Sequence, residues 1–202
     1  MKLAKGFLIV LIVSLTSCMT LVKWKYGITG PKEETPVSLL KFLQKMNKSP
    51  DNVCLFRDSS SFFRAMNDSL FRKNLLGSMV FSPTGFLLDV KDTSKCQWSV
   101  ASLIHALGTD KEYVADTSYR FEEFSKGLVF LSGSKFPDSF SIQFDYIVVI
   151  TWGKFAGKLN QRLFDAEKIE TGDFTKKIKL IFLNFDMQKS WNLTKKQKLI
   201  LR

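Results

Sequence analysis

Histidine is nearly absent from these 202 residues, cysteine is scarce, and no spaced catalytic signature occurs. His105 is the sole histidine, so a histidine-based metal cluster is excluded. It also falls off the apolar stripe of its own helix and reads as a surface residue. The three cysteines, Cys18, Cys54 and Cys96, form no CxxC and no zinc spacing. There is no nucleophile elbow, phosphate loop or EF-hand. Glu122 and Glu123 are sequence neighbours and point to different sides of a helix, so they are not an acid/base pair. No metal or other cofactor is expected. Acidic residues are the minority charge, 19 against 30 basic, for a formal net charge of +11. The imbalance is sharpest from Lys176 to Arg202, where Asp186 alone faces seven lysines and an arginine. Such a face is either solvated or drawn to anionic lipid headgroups.

What is present begins at the N-terminus. Lys2 and Lys5 precede an apolar run at 7–15 (FLIVLIVSL), followed by Leu15-Thr16-Ser17-Cys18. Charge, apolar core and small residues are the plan of a secretory signal peptide. Cysteine directly after the small residues resembles the lipobox of bacterial lipoproteins, which implies acylation of Cys18. The competing reading is an uncleaved anchor: residues 6–22 carry no charge, at the short end of the roughly 17–25 residues that span a bilayer. Either reading leaves the rest of the chain outside the cytoplasm at a membrane, and export leaves nucleic acid no part as a partner. In an oxidising compartment Cys54 and Cys96 could pair. Cys96 could instead act alone, since a helix start and Lys95 favour its thiolate.

The expected organisation is a signal peptide at 1–17, a lipidated tether at 18–35 and one domain at 36–202. That domain divides into a first half (36–108), a connection (109–144) and a second half (145–202). Hydrophobic residues make up 45% and phenylalanine occurs nineteen times, so a Phe-rich core is expected. An amphipathic helix is predicted over 36–47 through Leu39, Leu40, Leu43 and Met46. A short strand follows at 52–57, then a helix capped by Asp58 or the serines after it. Residues 79–90 read as a β-hairpin about Ser82-Pro83-Thr84-Gly85. A helix capped by Thr93 or Ser94 then carries Val100, Leu103, Ile104 and Leu107 to Gly108. Residues 119–130 read as helix then strand. The run 146–152 (YIVVITW) is the strongest strand, of the kind buried on both faces. A helix at 159–169, stopped by Gly172-Asp173, leads to a strand at 178–185, and a last helix begins at Met187.

Two of these stretches resemble parts of a thioredoxin-like domain. In 145–186, a buried strand ends in Trp152, and a loop, a helix and a strand ending near Asp186 follow. Trp152, Phe155 and Gly157 fit the aromatic and glycine positions of the family's active-site loop. The two cysteine positions of that motif fall on Ala156 and Leu159. Dithiol exchange needs a thiolate and a second sulfur to resolve the mixed disulfide, so the resemblance implies a loop without classical redox chemistry. Residues 77–108 resemble the C-terminal part of the fold, with Gly77-Ser78 where the family carries its cis-proline. The halves occur in reversed order. The expected fold is therefore α/β, a thioredoxin-like three-layer α/β/α sheet, either circularly permuted or built from two incomplete halves. The function this implies is a non-catalytic, membrane-anchored binding or scaffold lipoprotein of the cell envelope, with an unidentified protein partner. The alternative is a divergent thiol–disulfide oxidoreductase using Cys96, with or without Cys54.

Overall fold

A computed structural model describes residues 23–74, 76–90, 100–108, 113–137, 140–166 and 176–200. Cys18, Cys96, the expected cap at Thr93 or Ser94, and Ile169 with the stop at Gly172-Asp173 fall outside them.

The first elements form where the sequence places them. Helix α1 (Pro36–Lys45) opens on a reciprocal cap between Thr35 and Ser38 with Pro36 in its first turn, and it buries Leu39 and Leu43. Strand β2 (Val53–Phe56) is buried throughout. Asp58 caps α2 (Ser59–Asn67), and Asp68 caps the short α3 (Ser69–Lys73). The hairpin of β3 (Ser78–Phe81) and β4 (Phe86–Asp89) turns through Gly85 at φ 80°. Helix α4 (Val100–Leu107) buries the four predicted apolar residues, and His105 is exposed.

Strand β7 (Tyr146–Trp152) pairs in parallel with β8 (Ile178–Asn184), from Tyr146 opposite Ile178 to Trp152 opposite Asn184. Parallel neighbours need a crossover, and α6 (Leu159–Phe164) lies within it. β8 pairs in parallel with β2, and β3 pairs antiparallel with β7. The two stretches at 77–108 and 145–186 thus share one sheet. It has seven strands, in the order β5-β4-β3-β7-β8-β2-β6, where β5 is Val114–Arg120 and β6 is Leu128–Phe130. The fold is mixed α/β, with helices against an open mixed sheet.

Alternation along β7 divides the core. Val148, Ile150 and Trp152 join α1, α4 and α6 on one face. Ile147 and Val149 face a cluster that holds Phe62, Phe71 and Phe121, from α2, α3 and α5 (Phe121–Ser125). Phe56, Phe81, Phe140 and Phe185 are buried in that second cluster, which makes it the Phe-rich core.

Within 119–130, helix α5 is followed by strand β6, as expected, and the chain on either side adds elements that the sequence did not show. Residues 114–120 form an edge strand, with a register shift against β4 between Phe86 and Leu87. Its sequence VADTSYR is exposed at nearly every position, so it carries no apolar alternation to read. Met187 does not start a helix: β9 (Met187–Gln188) pairs with β1 (Glu33–Glu34), and the last helix, α7, begins only at Lys195 (Lys195–Ile200). The described part of the expected tether, residues 23–35, is held on the domain. The Thr29 N–H donates to the Phe155 carbonyl (2.9 Å), and the Lys158 N–H to the Tyr26 carbonyl (2.7 Å). Backbone bonds need no apolar periodicity, so this docking left no mark in the residue pattern.

Candidate functional site

The loop after β7 is built against a buried polar cradle. Gly153 is extended, residues 154–156 make a turn of 3-10 helix, and Gly157 carries the chain into α6. Phe155 folds its ring back so closely that a Cβ on Gly153 would lie 2.3 Å from it. Gly157 sits at φ 56°, ψ −129°, a region essentially closed to other residues. A Cβ there would come within 2.2 Å of the Tyr26 carbonyl oxygen and 2.5 Å of that of Gly27. The Lys158 N–H donates to the same Tyr26 carbonyl (2.7 Å). The N-terminal segment therefore lies directly over the loop as a strap.

Beneath the loop, Asp186 is almost wholly buried. Its Oδ2 accepts from the Lys154 N–H (2.7 Å) and from Asn184 Nδ2 (2.8 Å). The Asp186 N–H in turn donates to Asn184 Oδ1 (3.1 Å), and Gln188 Nε2 donates to the Asp186 carbonyl (3.1 Å). Asn160 Nδ2 ties α6 back to the Gly153 carbonyl (2.9 Å). Lys154 Nζ reaches the mostly buried Glu34 Oε2 (2.7 Å), which also accepts from Ser38 Oγ (2.6 Å). The cradle thus joins strap, loop, α6 and the end of β8.

Burial raises the Asp186 carboxyl above the usual carboxylate range, and the nearby Glu34 charge adds to this. The hydrogen bonds from Lys154, Asn184 and Phe155 oppose the shift. Between the ordinary and the raised value, the folded chain keeps a proton that the unfolded chain has released, so stability falls as pH rises through that window. Asp186→Asn removes this titration. In denaturant unfolding across a pH series, the variant should gain on the wild type from acid toward neutral pH. A constant difference would mean that Asp186 titrates as an ordinary carboxylate.

The structure brings Trp152, Phe155, Ala156, Gly157 and Leu159 together in one loop, without sulfur. Trp152 belongs to the core at the end of β7. It has no exposed surface, stacks on Phe42 (centroids 5.8 Å apart) and meets Phe164 edge-on. Its Nε1 donates to the Phe182 carbonyl (3.3 Å). Ala156 is buried and Leu159 half-buried. Cys54 is far from reactive: it is a free thiol with no exposed surface, in β2 between Phe130 and Leu183. Burial pushes its thiol well above the ordinary value despite the Lys179 charge, so the nucleophilic thiolate is suppressed.

Open clefts among the described residues lie elsewhere. One of about 440 Å³ is lined by Arg57, Lys126, Lys135, Phe136 and Phe140 among others, and one of about 360 Å³ by Arg64 and Tyr119 among others. Neither is lined by a residue of the 152–160 loop. Among the described residues no group of three His, Cys, Asp or Glu could hold a metal.

Sequence reasoning reached Asp186 only as a strand end, and it missed Glu34, Asn160, Asn184 and Gln188. The available signal was the alternation Asn184, Asp186, Gln188 running straight on from a buried strand, where polar residues must find buried partners. No protein family, curated protein or solved structure matches this chain.

Proposed function

We propose that this chain is a non-catalytic, thioredoxin-like lipoprotein, held at a membrane by acylation of Cys18 and acting as a binding or scaffold protein in the cell envelope. The observation that carries the reading is the 152–160 loop. Its path is fixed by Gly157, by Asn160 and by a buried carboxylate, while the positions that would hold sulfur are Ala156 and Leu159. Packing and turn geometry are maintained where dithiol chemistry is missing, as a scaffold would require. The pairing of β3 with β7 supports one permuted domain over two separate halves, because the reversed stretches complete a single sheet. Function is argued from the loop and not from the fold, which hosts many activities. A divergent oxidoreductase would have to rely on Cys96, since a buried Cys54 offers no thiolate to attack or resolve.

The lipid anchor is tested by growing cells with labelled palmitate. The wild type should be labelled, and Cys18→Ala should lose the label and leave an unprocessed or soluble form. Equal labelling of the variant would refute the anchor at Cys18.

A further inference from the structure

The strap also presents side chains to solvent. Trp24 is 81% exposed, more than any other large apolar side chain among the described residues. Lys23 and Lys25 flank it, and both are exposed. Lys25 Nζ and Arg162 Cζ approach the Tyr26 ring, 5.7 Å and 6.0 Å from its centroid. The exposed Lys158 is bound through its backbone to the Tyr26 carbonyl. Two cations, Lys25 and Arg162, therefore lie by the Tyr26 ring, with Lys23 next to Trp24 in sequence and Lys158 tied to Tyr26 through its backbone. The strap's own carboxylates do not neutralise them: Glu33 pairs with Lys198 and Glu34 with Lys154, each at 2.7 Å. Asp165, on the chain beyond α6, accepts from Gln161 (3.4 Å).

We propose that this end of the domain, formed by residues 23–26 with Lys158 and Arg162, is a membrane-contact surface that binds anionic phospholipid headgroups and seats Trp24 at the interface. The occupant follows from charge and from chain length. Lys23 is five residues from Cys18, a reach of at most about 18 Å, so the membrane that holds the anchor lies within range of this face. An indole is amphipathic and settles at the headgroup level, and neighbouring lysines are drawn to anionic lipid. A basic patch is also one of the second signals that strengthen acyl anchoring. The strap, held by its bonds to the 155–158 turn, would then fix the domain close to the bilayer with the loop end down. A protein partner would meet the remaining faces.

The proposal deepens the anchored-lipoprotein reading, and its test separates the two. The mature chain from residue 18, carrying Cys18→Ser and no acyl group, contains every described residue. It should sediment with vesicles containing about one third phosphatidylglycerol, not with pure phosphatidylcholine, and binding should weaken as salt rises. Lys23→Gln, Lys25→Gln and Arg162→Gln together should weaken it about a hundredfold, at about fivefold per cation. Lys176→Gln with Lys177→Gln should leave it unchanged, because those residues precede β8 at the opposite end, about 20 Å along the strand. Lipids brominated near the headgroup should quench fluorescence, and Trp24→Phe should abolish the quenching. All these side chains lie on the surface, so thermal unfolding should not move. Equal binding to neutral vesicles, binding to neither, or an equal loss from the Lys176/Lys177 pair would overturn the proposal. None of these outcomes bears on whether Cys18 is acylated.

Discussion

Trp152→Ala is expected to cost about 3–5 kcal/mol of folding stability, the range for large buried aromatics. The indole is fully buried where β7 ends, stacked on Phe42 from α1 and packed against Phe164 from α6. Truncation opens a cavity between two helices and the sheet and removes the hydrogen bond to the Phe182 carbonyl. Domains of this kind have about 5–15 kcal/mol in hand, so the variant would be marginal at best. Trp152→Phe should lose less, because it keeps most of the ring contacts. Denaturant midpoints with an unchanged slope would measure both. A loss below about 1 kcal/mol from Trp152→Ala would show that the residue is not the core element described here.

Gly157→Ala should act on the strap as well as on stability. Its backbone conformation is one that side chains other than glycine's rarely adopt, at about 1–3 kcal/mol. The new Cβ would also meet two backbone carbonyl oxygens, those of Tyr26 and Gly27, well inside contact distance. Neither can rotate away as a side chain could, so residues 26–27 must lift. Limited proteolysis reads this separately from global unfolding. Trypsin should cut after Lys23 or Lys25 many times faster in the variant under conditions where the rest of the domain stays intact. An unchanged cleavage rate would mean that the strap does not rest on Gly157.

The legible parts of the fold were those where apolar spacing decides. The run YIVVITW could only be a buried strand, and Val100, Leu103, Ile104 and Leu107 could only line one helix face. Both formed as read. The parallel pairing of β7 with β8 was legible too, since the intervening chain has the length of a crossover. The illegible parts are held by backbone hydrogen bonds and isolated polar contacts. β5 is polar because it lies at an edge, and β1 and β9 are two residues each. The strap is fixed by carbonyls that any sequence possesses. That the chain turns at Gly157 after the strand ending in Trp152 was readable from the sequence. The polar floor of the 152–160 loop was not, because Glu34, Asn160 and Asp186 are far apart in sequence and converge only once the sheet has formed.

The central proposal is that this loop serves a binding protein and performs no dithiol chemistry. The most direct measurement is insulin reduction by the mature chain in the presence of dithiothreitol. The account predicts precipitation no faster than the uncatalysed reaction, unchanged by Cys54→Ser, whose thiol is buried and held protonated. Catalysis above that background, abolished by Cys96→Ser, would contradict it and make the chain a thiol oxidoreductase.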